Sequence, residues 1–477
     1  MEHFDKDMII REPEKGMVWM DGSALTIEGK GWQETEHVYH RLPARAKKTV
    51  PDIIWNIGKC PAGMAIRFVT GSPSLAVRWD GFHAMDHMPA TGVSGLDLYV
   101  RHENKWKWLA VARPSGENNE AELFSGLSRA PREFMLYLPL YRHVRQIHLG
   151  IPEGEELHPA AVRRAAPIVF YGTSITQGGC ASRPGMNYTA ILGRWLDRPV
   201  INLGFSGNGK MQPEVMDLLA ELSPAVYVIN CMPNMIEHEI NEREEDGLRK
   251  LCTAHPKTPI LVVDNIQYCD AYLKTPRMQR VTSSNRAQQA IIEKLRAEGM
   301  TSIRHVPNTD LIGTDGEATV DGTHFTDLGY MRFAQALFPM LNEAIESVSA
   351  ADCNQPEKET VAVLGASPKP ERYANIVIRE LIDAGHHVFP INPGYEDILG
   401  IPCRKSLDEI PEPLDTITIY LGARRSTPLI TEILNAHPAR IIINPGAENP
   451  ELEKQAASQG IQVQRACSIV MLKTGQF

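Results

Sequence analysis

At 477 residues the chain exceeds one ordinary domain, and two or three are expected. Hydrophobic residues make up 43% and charged residues 22%, the balance of a soluble globular protein with a large core. A net charge of −9, with no long block of like charge and no Arg/Lys stripe, excludes nucleic acid as the main partner, because phosphate binding needs a basic face.

The opening run Met1-Glu2-His3-Phe4-Asp5-Lys6-Asp7 has no apolar h-region, and no apolar run approaches a membrane span. A cytoplasmic location is expected. Eight cysteines are scattered, none with CxxC or zinc-ligand spacing; Cys231, Cys252 and Cys269 read as core residues of a reduced protein.

Residues 1–150 read as an all-β module. Short apolar or alternating runs recur at Ile53–Ile57, Met64–Val69, Leu75–Trp79, Leu96–Val100, Trp106–Val111, Glu133–Leu138 and Val144–Leu149. Turn-rich stretches separate them, and this spacing predicts a sandwich. Trp55, Trp79, Trp106 and Trp108 cluster here. Two readings stand, a sugar-stacking face or packing within and over a small β core.

A polar connector, Pro152–Ala166, leads into an α/β domain over 165–349. Strands are predicted at Ile168–Tyr171, Val200–Leu203, Ala225–Asn230, Ile260–Asp264 and Ile303–Val306. Helical patterns lie between and after them at Tyr188–Leu196, Pro213–Leu222, Glu239–Cys252, Arg277–Glu298 and Asp327–Ser347. Such alternation specifies a parallel sheet with helices on both faces. After a second polar linker, Ala350–Lys358, the alternation restarts and gives a smaller Rossmann-like unit over 359–477.

The chemistry concentrates at two places. Ile168–Tyr171 runs into the turn Gly172-Thr173-Ser174, which puts Ser174 at the carboxyl end of a buried strand, where reactive groups of open α/β sheets sit. Far downstream, Asp321 and His324 stand three apart just before a helix. Serine, histidine and aspartate are the parts of an acyl-transfer site, since a serine hydroxyl needs a base and the base needs an orienting carboxylate.

Four ordered blocks over about 180 residues, one domain's worth, make this region resemble the SGNH (GDSL-like) esterases. They are Gly172-Thr173-Ser174, Asn202–Gly209, Met232-Pro233-Asn234-Met235 and Asp321-Gly322-Thr323-His324. Two departures stand out. Thr173 replaces the Asp of the common GDS form, and Pro233-Asn234-Met235 replaces the common GxND. The resemblance implies a flavodoxin-like sheet and a triad of Ser174, His324 and Asp321. It also implies an oxyanion hole made by the Ser174 and Gly207 amides and the Asn234 side chain, with no metal. Gly95-Leu96-Asp97-Leu98-Tyr99 resembles the GxDLY signature of a β module preceding such esterases. By alternation Asp97 faces away from the module's core, and it is not read as catalytic.

Residues 359–477 resemble the small bacterial CoA-binding domains through Gly365-Ala366-Ser367-Pro368, Asn392-Pro393, Pro445-Gly446 and the terminal Thr474–Phe477. That resemblance implies CoA or a related nucleotide bound by Gly365, Ala366, Ser367, Asn392, Pro393, Pro445 and Gly446. The leading expectation is a serine ester hydrolase that removes short acyl groups, acetyl foremost, from a carbohydrate or related alcohol. Two alternatives are an acyl-CoA thioesterase or acyltransferase using the C-terminal domain, and a metabolite-sensing CoA-binding protein. The expected partner is a small-molecule or carbohydrate ester, with a homo-oligomer left open.

Overall fold

A computed structural model describes residues 8–13, 16–163, 165–351, 358–459, 461–473 and 477. Within the sequence-based expectations, Met1–Asp7, Asp352–Glu357 and Thr474–Gln476 lie outside the described residues. The chain forms two compact units, Met1–Ala351 and Asp352–Phe477.

The first unit opens with two antiparallel sheets. Their strands are β1 (Ile9–Glu12), β2 (Met17–Asp21), β3 (Thr26–Glu28), β4 (Ala65–Thr70), β5 (Leu75–Asp80), β6 (Leu96–His102), β7 (Lys105–Ala112), β8 (Asn118–Phe124), β9 (Arg132–Tyr137), β10 (Ile147–Pro152) and β11 (Leu157–Pro159). One sheet runs β1-β2-β10-β5-β8; the other runs β11-β4-β9-β6-β7, with β3 beside β4. Alternate residues such as Val77, Leu98, Leu136 and Leu149 meet in one buried cluster, the two-layer core of a sandwich.

Several expectations are corrected here. Ile53–Ile57 is not a strand but lies in helix α1 (Asp52–Gly58), which starts after Pro51 with an acidic residue in its first turn. Ile54 and Trp55 are buried while Ile53 is half exposed, so the run has one helical face. That face joins the core of the α/β region, together with Leu42, Ala46 and Val50. The connector after residue 152 is not wholly irregular, because Leu157–Pro159 pairs with β4. The four tryptophans sit in different settings. Trp55 packs on the α/β core, Trp79 is buried with its indole donating to the Ser94 carbonyl, and the Trp106 and Trp108 indoles donate to Asp197 and Asp97.

The α/β region carries α2 (Ala90–Val93) from the sandwich side against it, then β12 (Ile168–Gly172), α3 (Ser174–Gln177), α4 (Tyr188–Trp195), β13 (Val200–Gly204), α5 (Pro213–Leu219), β14 (Val226–Asn230), α6 (Glu237–Ala254), β15 (Ile260–Val263), α7 (Thr275–Ala297), β16 (Ile303–Val306) and α8 (Asp327–Ala351). The sheet is parallel in the order β13-β12-β14-β15-β16, the flavodoxin-like 2-1-3-4-5 winding. Its strands are buried on both faces. Ile168, Phe170, Val226 and Val228 pack toward α4 and α8, and Val169, Tyr171, Tyr227 and Ile229 pack toward α5 and α6.

Asp97 joins sandwich to α/β region. It does point away from the sandwich core, yet it is fully buried. It accepts from Arg183 Nη1 at 2.7 Å, from the Gly185 N–H at 2.8 Å and from Trp108 Nε1 at 2.9 Å.

The second unit holds β17 (Thr360–Leu364), α9 (Tyr373–Asp383), β18 (His387–Ile391), a short ribbon of β19 (Asp397–Ile398) and β20 (Ile401–Pro402), β21 (Thr416–Ile419), α10 (Ala423–Ser426), α11 (Ile430–Asn435), β22 (Arg440–Ile443), α12 (Pro450–Ser458), β23 (Gln462–Arg465) and α13 (Ser468–Lys473). Its parallel sheet, β18-β17-β21-β22-β23, repeats the 2-1-3-4-5 order.

Candidate active site

The topological switch point of the first unit lies where β12 is flanked by β13 and β14. Loops leaving the carboxyl ends of these three strands carry Ser174, Gly207 and Asn234. The Asp321–His324 turn arrives just before α8. Ser174 begins α3, capped by Thr173, whose hydroxyl accepts the Ile175 N–H. Thr173, where Asp is common, thus performs the capping that an Asp would.

Ser174 Oγ lies 2.8 Å from His324 Nε2, and His324 Nδ1 lies 2.6 Å from Asp321 Oδ2. Asp321 Oδ1 accepts the N–H groups of Thr323 at 2.9 Å and His324 at 2.8 Å. Partial burial pushes this carboxyl upward, but the His324 ring and these two amides outweigh it and hold it at about 2, below its ordinary 3.8. The folded value is depressed, so its contribution to stability is whole above about 3.8 and is lost as pH falls through about 2.

Gly207 has φ +70°, and a Cβ there would meet nothing within 4 Å, so the loop is open on that side. Neither the Ser174 nor the Gly207 N–H has a backbone acceptor among the described residues. Asn234 ends a short 3-10 turn, and its Oδ1 accepts the Gly209 N–H at 3.2 Å. The side chain therefore ties the third block to the second, besides occupying a turn after β14. Gly209 itself could be nothing larger, since its Cβ would fall 2.1 Å from the Gly172 carbonyl.

Sequence reasoning missed the groups that hold this frame. Tyr330 donates to the Ile175 and Gly179 carbonyls and Tyr141 donates to the Ser174 carbonyl, fixing both ends of α3. Gln177 accepts the Ser206 N–H and donates to the Leu140 carbonyl. Arg41, 1% exposed, donates to the carbonyls of Ile57, Cys60, Asn202 and Gly204. The His87 ring, from a loop of the sandwich, lies 5.9 Å from that of His324. None of these residues stands in a recognisable local pattern. The four blocks marked Ser174, Gly207, Asn234, Asp321 and His324 but not the groups that brace them. A larger cleft of about 900 Å³, lined by Gln212, Glu242, Arg243 and Lys250 among others, contains none of the Ser174, His324 and Asp321 group.

In the second unit, a cleft of about 380 Å³ opens at the carboxyl ends of β17, β18, β21 and β22. Gly365, Ala366, Ser367, Asn392, Pro445 and Gly446 line it; Pro393 does not. Gly365 (φ +91°) and Gly446 (φ +85°) adopt left-handed turns that favour glycine. Asn392 Nδ2 donates to the Ala366 carbonyl at 2.7 Å and joins the first two loops. Lys369, Arg372 and Arg425, not singled out in the sequence, add positive charge to the lining, beside the start of α9. Backbone turns, a helix start and basic side chains suit a phosphate-bearing ligand.

Such a serine–histidine–aspartate relay on a 2-1-3-4-5 sheet defines a class of serine-dependent acyl-transfer folds. Family comparison is specific. The model for the GDSL-like lipase/acylhydrolase family matches residues 165–342, that for the GxDLY N-terminus of SGNH-hydrolase-type esterases matches 17–157, and that for a CoA-binding domain matches 359–473. A crystal structure from Bacteroides ovatus, assigned as a GDSL-like lipase, is 32% identical with a TM-score of 0.67, covering 69% of this chain and 98% of that one. The salicylyl-acyltransferase SsfX3 from a tetracycline biosynthetic pathway shares the fold, with a TM-score of 0.56 at 19% identity over 69% of this chain and 96% of its own. Over 100 residues, 21% of this chain, the Bacillus subtilis protein YneT is 27% identical, and 74% of its length is covered. The chain belongs to the GDSL-like lipase/acylhydrolase family.

Proposed function

We propose that the chain is a serine ester hydrolase that removes short acyl groups, acetyl foremost, from a carbohydrate or related alcohol. The observation that carries this reading is the unbroken relay of 2.8 Å and 2.6 Å contacts from the Ser174 hydroxyl through His324 to Asp321. His324 Nε2 takes the Ser174 proton as Oγ attacks the ester carbonyl. Asp321, accepting at Nδ1, holds the tautomer and offsets the imidazolium charge. The Ser174 and Gly207 amides and the Asn234 side chain face the developing oxyanion. The protonated His324 then passes its proton to the departing alcohol, and water repeats the cycle on the acyl-enzyme.

Replacing Asn234 by Ala should lower kcat by roughly 10²–10³-fold with little change in KM, as for loss of one oxyanion donor. Since Oδ1 also holds Gly209, Asn234→Asp is the companion variant. It keeps that acceptor and removes the donor, so a full rate in Asn234→Asp would remove Asn234 from the oxyanion hole.

A CoA-binding domain on the same chain favours a second reading, an acyl-CoA thioesterase or acyltransferase. Hydrolysis of p-nitrophenyl acetate, acetylated sugars and acetyl-CoA should be compared for the full chain and for a truncation after Ala351. On the leading reading both proteins hydrolyse the esters at equal rates and leave acetyl-CoA untouched. Acetyl-CoA turnover lost on truncation would establish the second reading instead.

A further inference from the structure

Three imidazoles converge beside the segments that carry Arg41 and Tyr141. His37 and His40 lie three residues apart in a turn closed by the His40 N–H donating to the His37 carbonyl at 2.9 Å, so both rings leave on one side. His143 comes from the loop between β9 and β10. One ring nitrogen from each lies within 4.8 Å of the others, and His40 Nε2 is 3.1 Å from His143 Nε2. Ring centroids are 5.0 Å apart for His40 and His143, 5.4 Å for His37 and His40, and 5.9 Å for His37 and His143.

We propose that His37, His40 and His143 form a binding site for one divalent transition-metal ion of the zinc class, with water as the fourth ligand. Zinc–imidazole bonds of about 2.0–2.1 Å at tetrahedral angles place nitrogens roughly 3.3 Å apart, close to the His40–His143 spacing. Three histidines and an open position form a known zinc arrangement. His40 is 5% exposed and its Nδ1 has no partner, so this ring is held without a carboxylate. Asp80, the carboxylate facing His37 and His143, has its oxygens engaged by the Arg145 and Gln146 amides and Arg145 Nε. It supplies negative charge without displacing a ligand, against Lys30, Lys59 and Arg142. The Arg145 carbonyl, which interacts with the His37 ring, is the kind of acceptor that orients a ligating imidazole. The Tyr39 N–H lies 3.3 Å from His37 Nδ1, a long contact that yields if that nitrogen takes the metal. The ion would tie the turn carrying Arg41 to the loop carrying Tyr141.

The test uses the untagged full chain, chelator-stripped and titrated with Zn²⁺ or Co²⁺ alone. One ion per chain is expected, with the intense visible absorption of four-coordinate Co²⁺. Tm should rise by about 3–5 °C at a hundredfold excess over Kd. His37→Gln and His143→Gln, both partly exposed, should each weaken binding by roughly 100-fold, and the pair should abolish it. Circular-dichroism melts verify folding. Absence of the Co²⁺ band in the wild-type chain, or unchanged stoichiometry and affinity in the folded double variant, overturns the site.

Discussion

Replacing Ser174 by Ala should lower ester turnover by roughly 10⁴–10⁶-fold, leaving only what substrate binding and oxyanion stabilisation supply. The hydroxyl is the sole atom lost. The Ser174 carbonyl still receives Tyr141, and the Ile175 and Gly179 carbonyls still receive Tyr330, so α3 stays in place. Substrate affinity should therefore survive, which separates loss of the nucleophile from loss of the fold. The check is steady-state hydrolysis of p-nitrophenyl acetate beside mass spectrometry after exposure to a serine-reactive phosphonate. Wild type should gain one adduct on the peptide containing Ser174, and the variant none. Hydrolysis by the variant within tenfold of wild type would mean that the acyl group is carried elsewhere.

Replacing Arg41 by Met should destabilise the first unit by about 3–5 kcal/mol. The guanidinium is a buried cation with no carboxylate against it among the described residues. Its hydrogen bonds run to four main-chain carbonyls, at 2.7 Å to Cys60, 2.8 Å to Gly204 and 3.0 Å to both Ile57 and Asn202. Burial pushes it down to about 10, so it stays charged at neutral pH. Methionine fills much of the volume but donates nothing, so four carbonyls lose the guanidinium, although Ile57 still accepts the Cys60 N–H. Because Asn202 lies within β13 and Gly204 ends it, leading to Gly207, kcat should fall as well. Urea denaturation of the truncation ending at Ala351 measures the first effect. A shift below about 1 kcal/mol would mean that water satisfies the carbonyls as well as the side chain does. Arg41→Lys should recover only part of the loss, since one ammonium cannot reach four carbonyls in the directions a planar fork can.

What local pattern encodes, the sequence revealed. The continuous apolar runs at Ile168–Tyr171 and Val200–Leu203 can be little else than strands buried on both faces, and the small-residue turns after them are where reactive groups gather. Where a pattern is shorter than its own period, it misleads. Ile53–Ile57 is too brief to separate alternation from a helical face, and its burial against the α/β core, not the sandwich, decided it. Asn118–Phe124 is largely polar and became a strand only by pairing with β5. Asp97 reads by alternation as facing away from the sandwich core, and it does, but alternation does not show that the α/β region's Arg183 and Gly185 cover it there. His37 and His143 sit 106 positions apart in the chain, and a search for metal ligands by cysteine spacing passes over them.

The contacts made by Arg41 and Tyr141 bear on how such a chain can change over generations. A module that lends its neighbour a buried guanidinium and a hydroxyl on the Ser174 carbonyl cannot be traded like a cassette. Any recombination event joining a foreign β module at the 157–165 junction would deliver an α/β region whose Asn202 and Gly204 carbonyls lack the Arg41 donor. The two must diverge together, substitution answering substitution across their shared face.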